Sequence, residues 1–111
     1  MKAGRLRARV EFQRQQETKD AYGEKSTTYE TFCIRWGEPF GLAAGEEAER
    51  YGKSGYMIQK FRVRYDSMTK TVGYADRIKY NGAQFEIVAI ENKNNRNEEL
   101  IFTGAHNERF S

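Results

Sequence analysis

An Asn-Gly pair between two alternating runs is the feature that most constrains the fold of this chain. It lies in DRIKYNGAQFEIVAI, at Asn81 and Gly82. Both residues tolerate the positive φ angles of a type I′ turn, whose twist matches the antiparallel strands that it joins. The turn fixes the register of the hairpin, so the expected cross-strand pairs are Tyr80 with Ala83, Lys79 with Gln84, Ile78 with Phe85, and Arg77 with Glu86. Since the apolar members share one side, the sequence predicts a sheet with one buried face.

Polar and apolar alternation and strand-favouring composition predict four further strands in addition to the hairpin. The segment RLRARVEFQR, residues 5–14, places Val10 and Phe12 on one face and Gln13 with the arginines on the other. Residues 27–38, 57–65 and 100–106 have the β-branched and aromatic residues that strands favour. Pro39 ends the second of these strands or marks a sheet edge.

These elements predict an all-β fold, either a small antiparallel β-barrel or a sandwich, of five to six strands. A chain of 111 residues is expected to form a single domain over residues 1–111, with residues 107–111 as a frayed tail. No apolar run approaches the ~20 residues that span a bilayer. We therefore expect no membrane partner.

A long connection, residues 40–56, separates the second and third strands. It contains four glycines and a short Ala/Glu-rich stretch suited to one or two helical turns, and it has no strand alternation. An irregular connection of this length in a small domain is usually functional or disordered. We expect it to be mobile in the isolated subunit and dispensable for the stability of the barrel.

The inventory of reactive residues does not favour an enzyme. His106 is the only histidine and lies near the C-terminus, so we expect neither a His-based triad nor a multi-His metal site, and we expect it at a surface or edge. Glu46, Glu47 and Glu49 are expected on the solvated face of a helical turn rather than as paired catalytic carboxylates. Cys33, the single cysteine, lies in FCIRW and is expected to be a small buried hydrophobe rather than a reactive thiol. We expect no catalytic residue, no cofactor and no metal.

Arginines cluster on the polar faces of two predicted strands, at Arg5, Arg7, Arg9, Arg62 and Arg64. One positive sheet surface with nearby aromatic residues would resemble a platform for single-stranded nucleic acid. However, the alternation places the aromatic residues on the opposite face, in the predicted core. A solvated face, or one that pairs with acidic residues of a neighbouring subunit, is favoured over nucleic-acid binding. The net charge of +3 is a weak bias.

The ordered segments of the chain resemble one protein family over nearly the whole length. The order is GRLRARVEFQRQ, KDAYGE, YETFCIRWGEPF, KFRVRY, DRIKYNGAQFEIVAIEN and ELIFTG. This order is similar to that of the head-tail joining proteins of tailed bacteriophages and prophages, also called head-closure or head-tail adaptor proteins.

The resemblance implies a non-enzymatic virion structural protein made in the bacterial host cytoplasm. It implies a small barrel that forms a ring with copies of itself, between a portal-associated adaptor protein and a tail-terminator protein, close to the packaged DNA. The connection is then expected to project toward the channel or a neighbouring subunit. Its candidate contact residues are Phe40, Leu42, Glu46, Glu47, Tyr51 and Tyr56.

Two other functions remain open from the residues alone. One is a small β-barrel module that binds nucleic acid through the arginine faces. The other is an enzyme whose site forms only between subunits.

Overall fold

The computed structural model describes residues 7–107, apart from the side chain of Glu47. Its strands are β1 (Ala8–Lys19), β2 (Lys25–Ala43), β3 (Met57–Arg64), β4 (Arg77–Tyr80), β5 (Ala83–Asn92) and β6 (Glu99–His106). One short helix, α1 (Glu46–Arg50), follows β2, and single 3₁₀ turns occupy Thr69–Thr71 and Lys93–Asn95. Among residues 7–107 there is no helix with the length and hydrophobicity that crossing a bilayer requires.

The six strands form one closed antiparallel barrel in the order β1-β2-β3-β6-β5-β4. Closure comes from a short pairing of β4 with β1, in which Glu11–Gln13 lie opposite Arg77–Lys79. The prediction of an all-β antiparallel fold is confirmed, and the barrel is the alternative that forms.

The hairpin that the Asn-Gly turn predicts is present with the expected register. All four cross-strand pairs between β4 and β5 form as predicted. Asn81 and Gly82 have φ angles of 52° and 80°, as a type I′ turn requires. Ile78 and Phe85 are buried in the barrel core.

Three fully buried phenylalanines fill the centre of that core: Phe12, Phe61 and Phe102. The ring centroids of Phe12 and Phe102 are 5.1 Å apart. Phe61 meets Phe85 edge to face at 5.2 Å. Cys33 lies in the same core, where burial raises the pKa of its thiol, in agreement with its predicted role as a buried hydrophobe.

The first two strands are longer than the alternation predicts. β1 runs to Lys19 rather than ending at Arg14, and β2 runs past Pro39 to Ala43. Pro39 pairs with Phe61 of β3, and β2 continues beyond it. Pro39 therefore does not end the strand.

Gln13 is buried, although strict alternation places it on the polar face of β1. A β-bulge between Phe12 and Gln13 shifts the register, and both residues are buried. The extra residue of this bulge is Phe32 on β2, because Phe12 pairs with Cys33 and Gln13 pairs with Thr31. The amide of Gln13 is satisfied because its Oε1 accepts a hydrogen bond from Arg77 Nε at 2.7 Å.

Candidate assembly surfaces

Helix α1 packs against the outside of the barrel. Ala48 is fully buried and forms a second hydrophobic cluster with Ile58 and Ala105. Ile58 and Ala105 are paired across β3 and β6 and point outward, since Phe61 and Phe102 on the same strands point into the core. Tyr51 and Tyr56 pack around this cluster.

Lys53 fixes the chain that follows α1. Its backbone N–H donates to the carbonyl oxygen of Ala48 at 2.9 Å. Its ammonium forms an ion pair with Glu86 on β5, and the hydrogen bond to that carboxylate raises the pKa of Lys53 above its usual value. The connection is therefore joined to the barrel by an apolar contact and by an ion pair.

The prediction that residues 40–56 form an irregular connection without strand structure is wrong at its start, while its dispensability for the barrel stays a prediction. Its first residues belong to β2, where Phe40 pairs with Lys60. The helical turns predicted from the Ala/Glu-rich stretch are present as α1. Since α1 covers Ile58 and Ala105, removing it would expose a buried apolar surface.

The six predicted contact residues do not form a single site. The ring of Phe40 lies 4.6 Å from the guanidinium carbon of Arg62, and Leu42 is 64% exposed near the end of β2. Glu46 and Glu47 begin α1, with Glu46 exposed. Since Tyr51 and Tyr56 lie partly buried in the second cluster, Leu42 and Glu46 are the most accessible of the five members whose side chains are described.

The predicted basic face has mixed charge. Arg5 lies outside the described residues, while Arg7, Arg9 and Arg64 are exposed. The guanidinium of Arg62 forms an ion pair with Glu38, and its Nε lies 3.4 Å from Glu99 Oε2. Arg62 is therefore neutralised by acidic residues of its own chain. Its side chain is only 17% exposed, so it offers little to a phosphate group.

Residues 14–31 form a two-stranded ribbon, here called the arm, which is the surface that the sequence reasoning missed. Beyond the short pairing with β4, β1 and β2 continue together to a turn at residues 20–24. All side chains from residue 15 to residue 28 are exposed. Since the arm is polar on both faces, it has no hydrophobic alternation. The sequence feature that indicates the arm is the Asp-x-x-Gly turn of residues 20–23, which lies between a Gln-rich segment and a Thr-rich segment.

Two arginines hold the base of the arm. Arg14 donates from Nε and Nη2 to the two carboxylate oxygens of buried Asp76, at 3.1 and 3.2 Å. The hydrogen bond to Asp76 raises the pKa of Arg14. Its guanidinium also lies 3.9 Å from the ring centroid of Phe32, while that of Arg77 lies 3.8 Å from the ring of Tyr29. These contacts fix the direction in which the arm leaves the barrel.

A cleft of about 570 Å³ lies beside the base of the arm. Aromatic side chains of Tyr29, Tyr56 and Tyr74 line it together with His106. The Nδ1 atom of His106 is 2.9 Å from the carbonyl oxygen of Gln84, and its ring lies 5.2 Å from that of Phe85. Within residues 7–107, no group of three His, Cys, Asp or Glu side chains is placed to hold a metal ion.

Comparison with protein families identifies the chain. The family model of the phage head completion proteins matches residues 1–105, which is nearly the whole sequence. The chain belongs to the phage head completion protein family. This membership gives it a structural role in the phage head and a location in the virion, where it assembles with other virion proteins.

Two solved structures share the fold of this head completion protein. One is the solution structure of protein SF1141 from Shigella flexneri 2a, with 22% identity, a TM-score of 0.69, and coverage of 97% of this chain and 98% of the other. The second is a chain of the virion of a native gene transfer agent particle, with 14% identity, a TM-score of 0.60, and coverage of 87% and 90%. No curated protein matches this sequence.

Proposed function

We propose that this head completion protein is a non-enzymatic subunit of the connector ring that joins the DNA-filled phage head to the tail. It assembles there with copies of itself, between a portal-associated adaptor protein and a tail-terminator protein, after synthesis in the host cytoplasm. The observation that carries the proposal is the match to the head completion family over residues 1–105.

The geometry of the described residues supports a role based on surfaces. The barrel is closed, so its strands satisfy one another and give a rigid body. Two elements extend this body: the polar arm and the connection that carries α1, with Leu42 and Glu46 exposed. In a ring of more than two copies, a subunit contacts its two neighbours through unlike patches. It needs further surfaces for the proteins above and below it.

Deletion of the gene in a phage or prophage that encodes this chain tests the proposal. Electron microscopy of the lysate is expected to show heads without tails and free tails, because the head lacks the part to which a tail joins. Supply of the wild-type chain in trans is expected to restore tailed particles. Tailed, infectious particles at the wild-type level in the deletion strain would contradict the proposed role.

A further inference from the structure

The arm has two strand edges without a neighbouring strand in the described part of the chain. β1 pairs with β4 only at Glu11–Gln13, so its outer edge is open from Arg14 to Lys19. β2 pairs with β3 only from Gly37 onward, so its outer edge is open along the whole arm. Open strand edges are templates for pairing with another chain, and soluble proteins usually cover or interrupt them.

The hydrogen bonding within the arm shows which backbone groups point outward. The N–H of Asp20 donates to the carbonyl oxygen of Glu24 at 2.9 Å and closes the turn. Hydrogen-bonded and non-hydrogen-bonded pairs alternate along an antiparallel ladder. The pair of Thr18 with Ser26 is therefore hydrogen-bonded, while Glu17 and Thr27 form a non-hydrogen-bonded pair. The N–H and C=O groups of Glu17 and Thr27 consequently point away from the arm, toward opposite edges.

We propose that the outer edge of β1 in one subunit pairs with the outer edge of β2 in the next, so that the arms of the assembled subunits form a continuous antiparallel sheet. This inference rests on the proposed ring. In each arm, β1 runs away from the barrel to the turn and β2 runs back from the turn. Rotation about an axis parallel to the arm places β1 of one copy beside β2 of its neighbour. The two strands are then antiparallel, and each contact uses unlike edges, as a cyclic assembly requires.

The side chains of the two edges already complement each other in this orientation. Within one arm, Glu17 lies opposite Thr27, and its carboxylate is 3.5 Å from the ammonium of Lys25. The same register between subunits would make Glu17 and Thr27 a hydrogen-bonded pair, because both direct their backbone groups outward. It would also bring Glu17 of one copy beside Lys25 of the next. Charge complementarity therefore favours a second copy of this chain as the occupant of the edge.

The proposed contact is suited to assembly on a pre-formed platform rather than in free solution. The arm has no apolar stripe, so pairing its edges buries little hydrophobic surface, and main-chain hydrogen bonds have small net stability in water. Because each arm is fixed at its base by Arg14 and Arg77, neighbouring arms are already aligned when the subunits are held side by side. This pre-organisation lowers the entropy that pairing costs.

Cysteine cross-linking in assembled particles tests the arrangement. Thr18 and Ser26 would face each other in a non-hydrogen-bonded pair between subunits, at a Cα separation of about 4.5 Å, which suits a disulfide. Particles are assembled from a mixture of Thr18→Cys and Ser26→Cys subunits, and wild-type particles control for Cys33, which is buried. We expect a cross-linked species of two subunits in the mixture, and its loss in particles that contain either variant alone.

A variant that alters the backbone of β2 provides a second, independent test. Thr27→Pro removes the outward N–H of β2, while Thr27→Val keeps it and also has a β-branched side chain. We expect Thr27→Pro to keep the unfolding midpoint of the barrel but to lose the cross-link and tail-bearing particles, and Thr27→Val to retain both. Mass spectrometry shows whether the particles contain the subunit. If they contain it but it forms no cross-link, or cross-links only to a different protein, the arm pairing is overturned and the connector role is left intact. Particles that lack the subunit contradict both.

Discussion

At the residue scale, Gly104 is a site where the barrel has no free space for a side chain. A Cβ atom at Gly104 would lie 2.8 Å from the Cβ of Phe85 and 3.3 Å from its ring. Phe85 is itself held edge to face against Phe61 in the core. The glycine therefore allows Phe85 to pack across β6, since core packing leaves no space for an added methyl group.

Gly104→Ala is expected to destabilise the protein by about 1–3 kcal/mol, the usual cost of overpacking a core. Gly73→Ala is the matched control, because nothing lies within 4 Å of a Cβ built at Gly73 and its φ is not positive. Thermal unfolding followed by circular dichroism measures both. Equal midpoints for the two variants would show that Phe85 can move aside at no cost.

Asp66 gives the stability of the barrel a dependence on acid pH. Burial alone would raise the pKa of its carboxyl group, but hydrogen bonds from Arg35 and from the backbone N–H groups of Thr69 and Met68 outweigh burial and lower it. The distance from Arg35 Nε to Asp66 Oδ2 is 2.8 Å. Because the folded pKa lies below the ordinary 3.8, the stability that Asp66 contributes is present above that pH and is lost as the pH falls through the folded value.

Asp66→Asn should therefore lower the unfolding midpoint near neutral pH, and its difference from the wild type should shrink below pH 3.8. Asparagine has nearly the same size and keeps an acceptor for the two backbone N–H groups, so the variant removes mainly the charge. Unfolding midpoints measured across this pH range test the prediction. A difference that stays constant at every pH would assign the effect of the substitution to packing.

At the scale of elements, α1 is short and depends on the barrel for its position. A helix of five residues has no stability of its own in water, so its contact with Ile58 and Ala105 must hold it in place. Ala48 is the residue that makes this contact without exposure to solvent.

Ala48→Asp is expected to cost about 1–3 kcal/mol, because the substitution places a polar group in an apolar contact. Ala44→Asp introduces the same change at an exposed position of the same connection, and we expect it to stay within about 0.5 kcal/mol of the wild type. Urea unfolding measures both variants. A neutral Ala48→Asp would show that α1 is not needed by the barrel, as the sequence alone suggested.

The sequence predicts the elements whose determinants are local. The hairpin of β4 and β5 follows from Asn81 and Gly82, since a two-residue turn fixes register without information from the rest of the chain. The second cluster does not follow from local sequence. Ile58 and Ala105 are only outward-facing residues in the strand pattern, and the pairing of β3 with β6 is what brings them together. The burial of Gln13 depends in the same way on a non-local contact, the hydrogen bond that it accepts from Arg77.

The arm and the candidate contacts were harder to predict for a related reason. Residues 15–28 are polar on both faces, so hydrophobic periodicity carries no information about strand pairing there. The acidic partners of Arg62 come from β2 and β6, which are remote in sequence from β3. Alternation places Arg62 on the outer face, but it cannot show that the charge is already paired.

At the scale of the whole molecule, the proposed connector role favours contact with proteins over tight binding of DNA. A connector must let packaged DNA pass, and affinity for DNA increases with the number of phosphates that are neutralised. We expect no measurable binding of short oligonucleotides at physiological salt, either by the wild type or by a variant with Gln at Arg7, Arg9 and Arg64. A wild-type affinity that collapses in the variant would favour the nucleic-acid-binding alternative.

The central claim is that the barrel lies in the ring between head and tail, and imaging the particle tests it most directly. Cryo-electron microscopy of tailed particles from the encoding phage should show a ring below the portal into which the six-stranded barrel fits, with α1 on its outside. The account predicts one copy of the barrel in every repeat of that ring. A head-tail junction fully occupied by other chains, with this barrel elsewhere in the particle or absent, would contradict it.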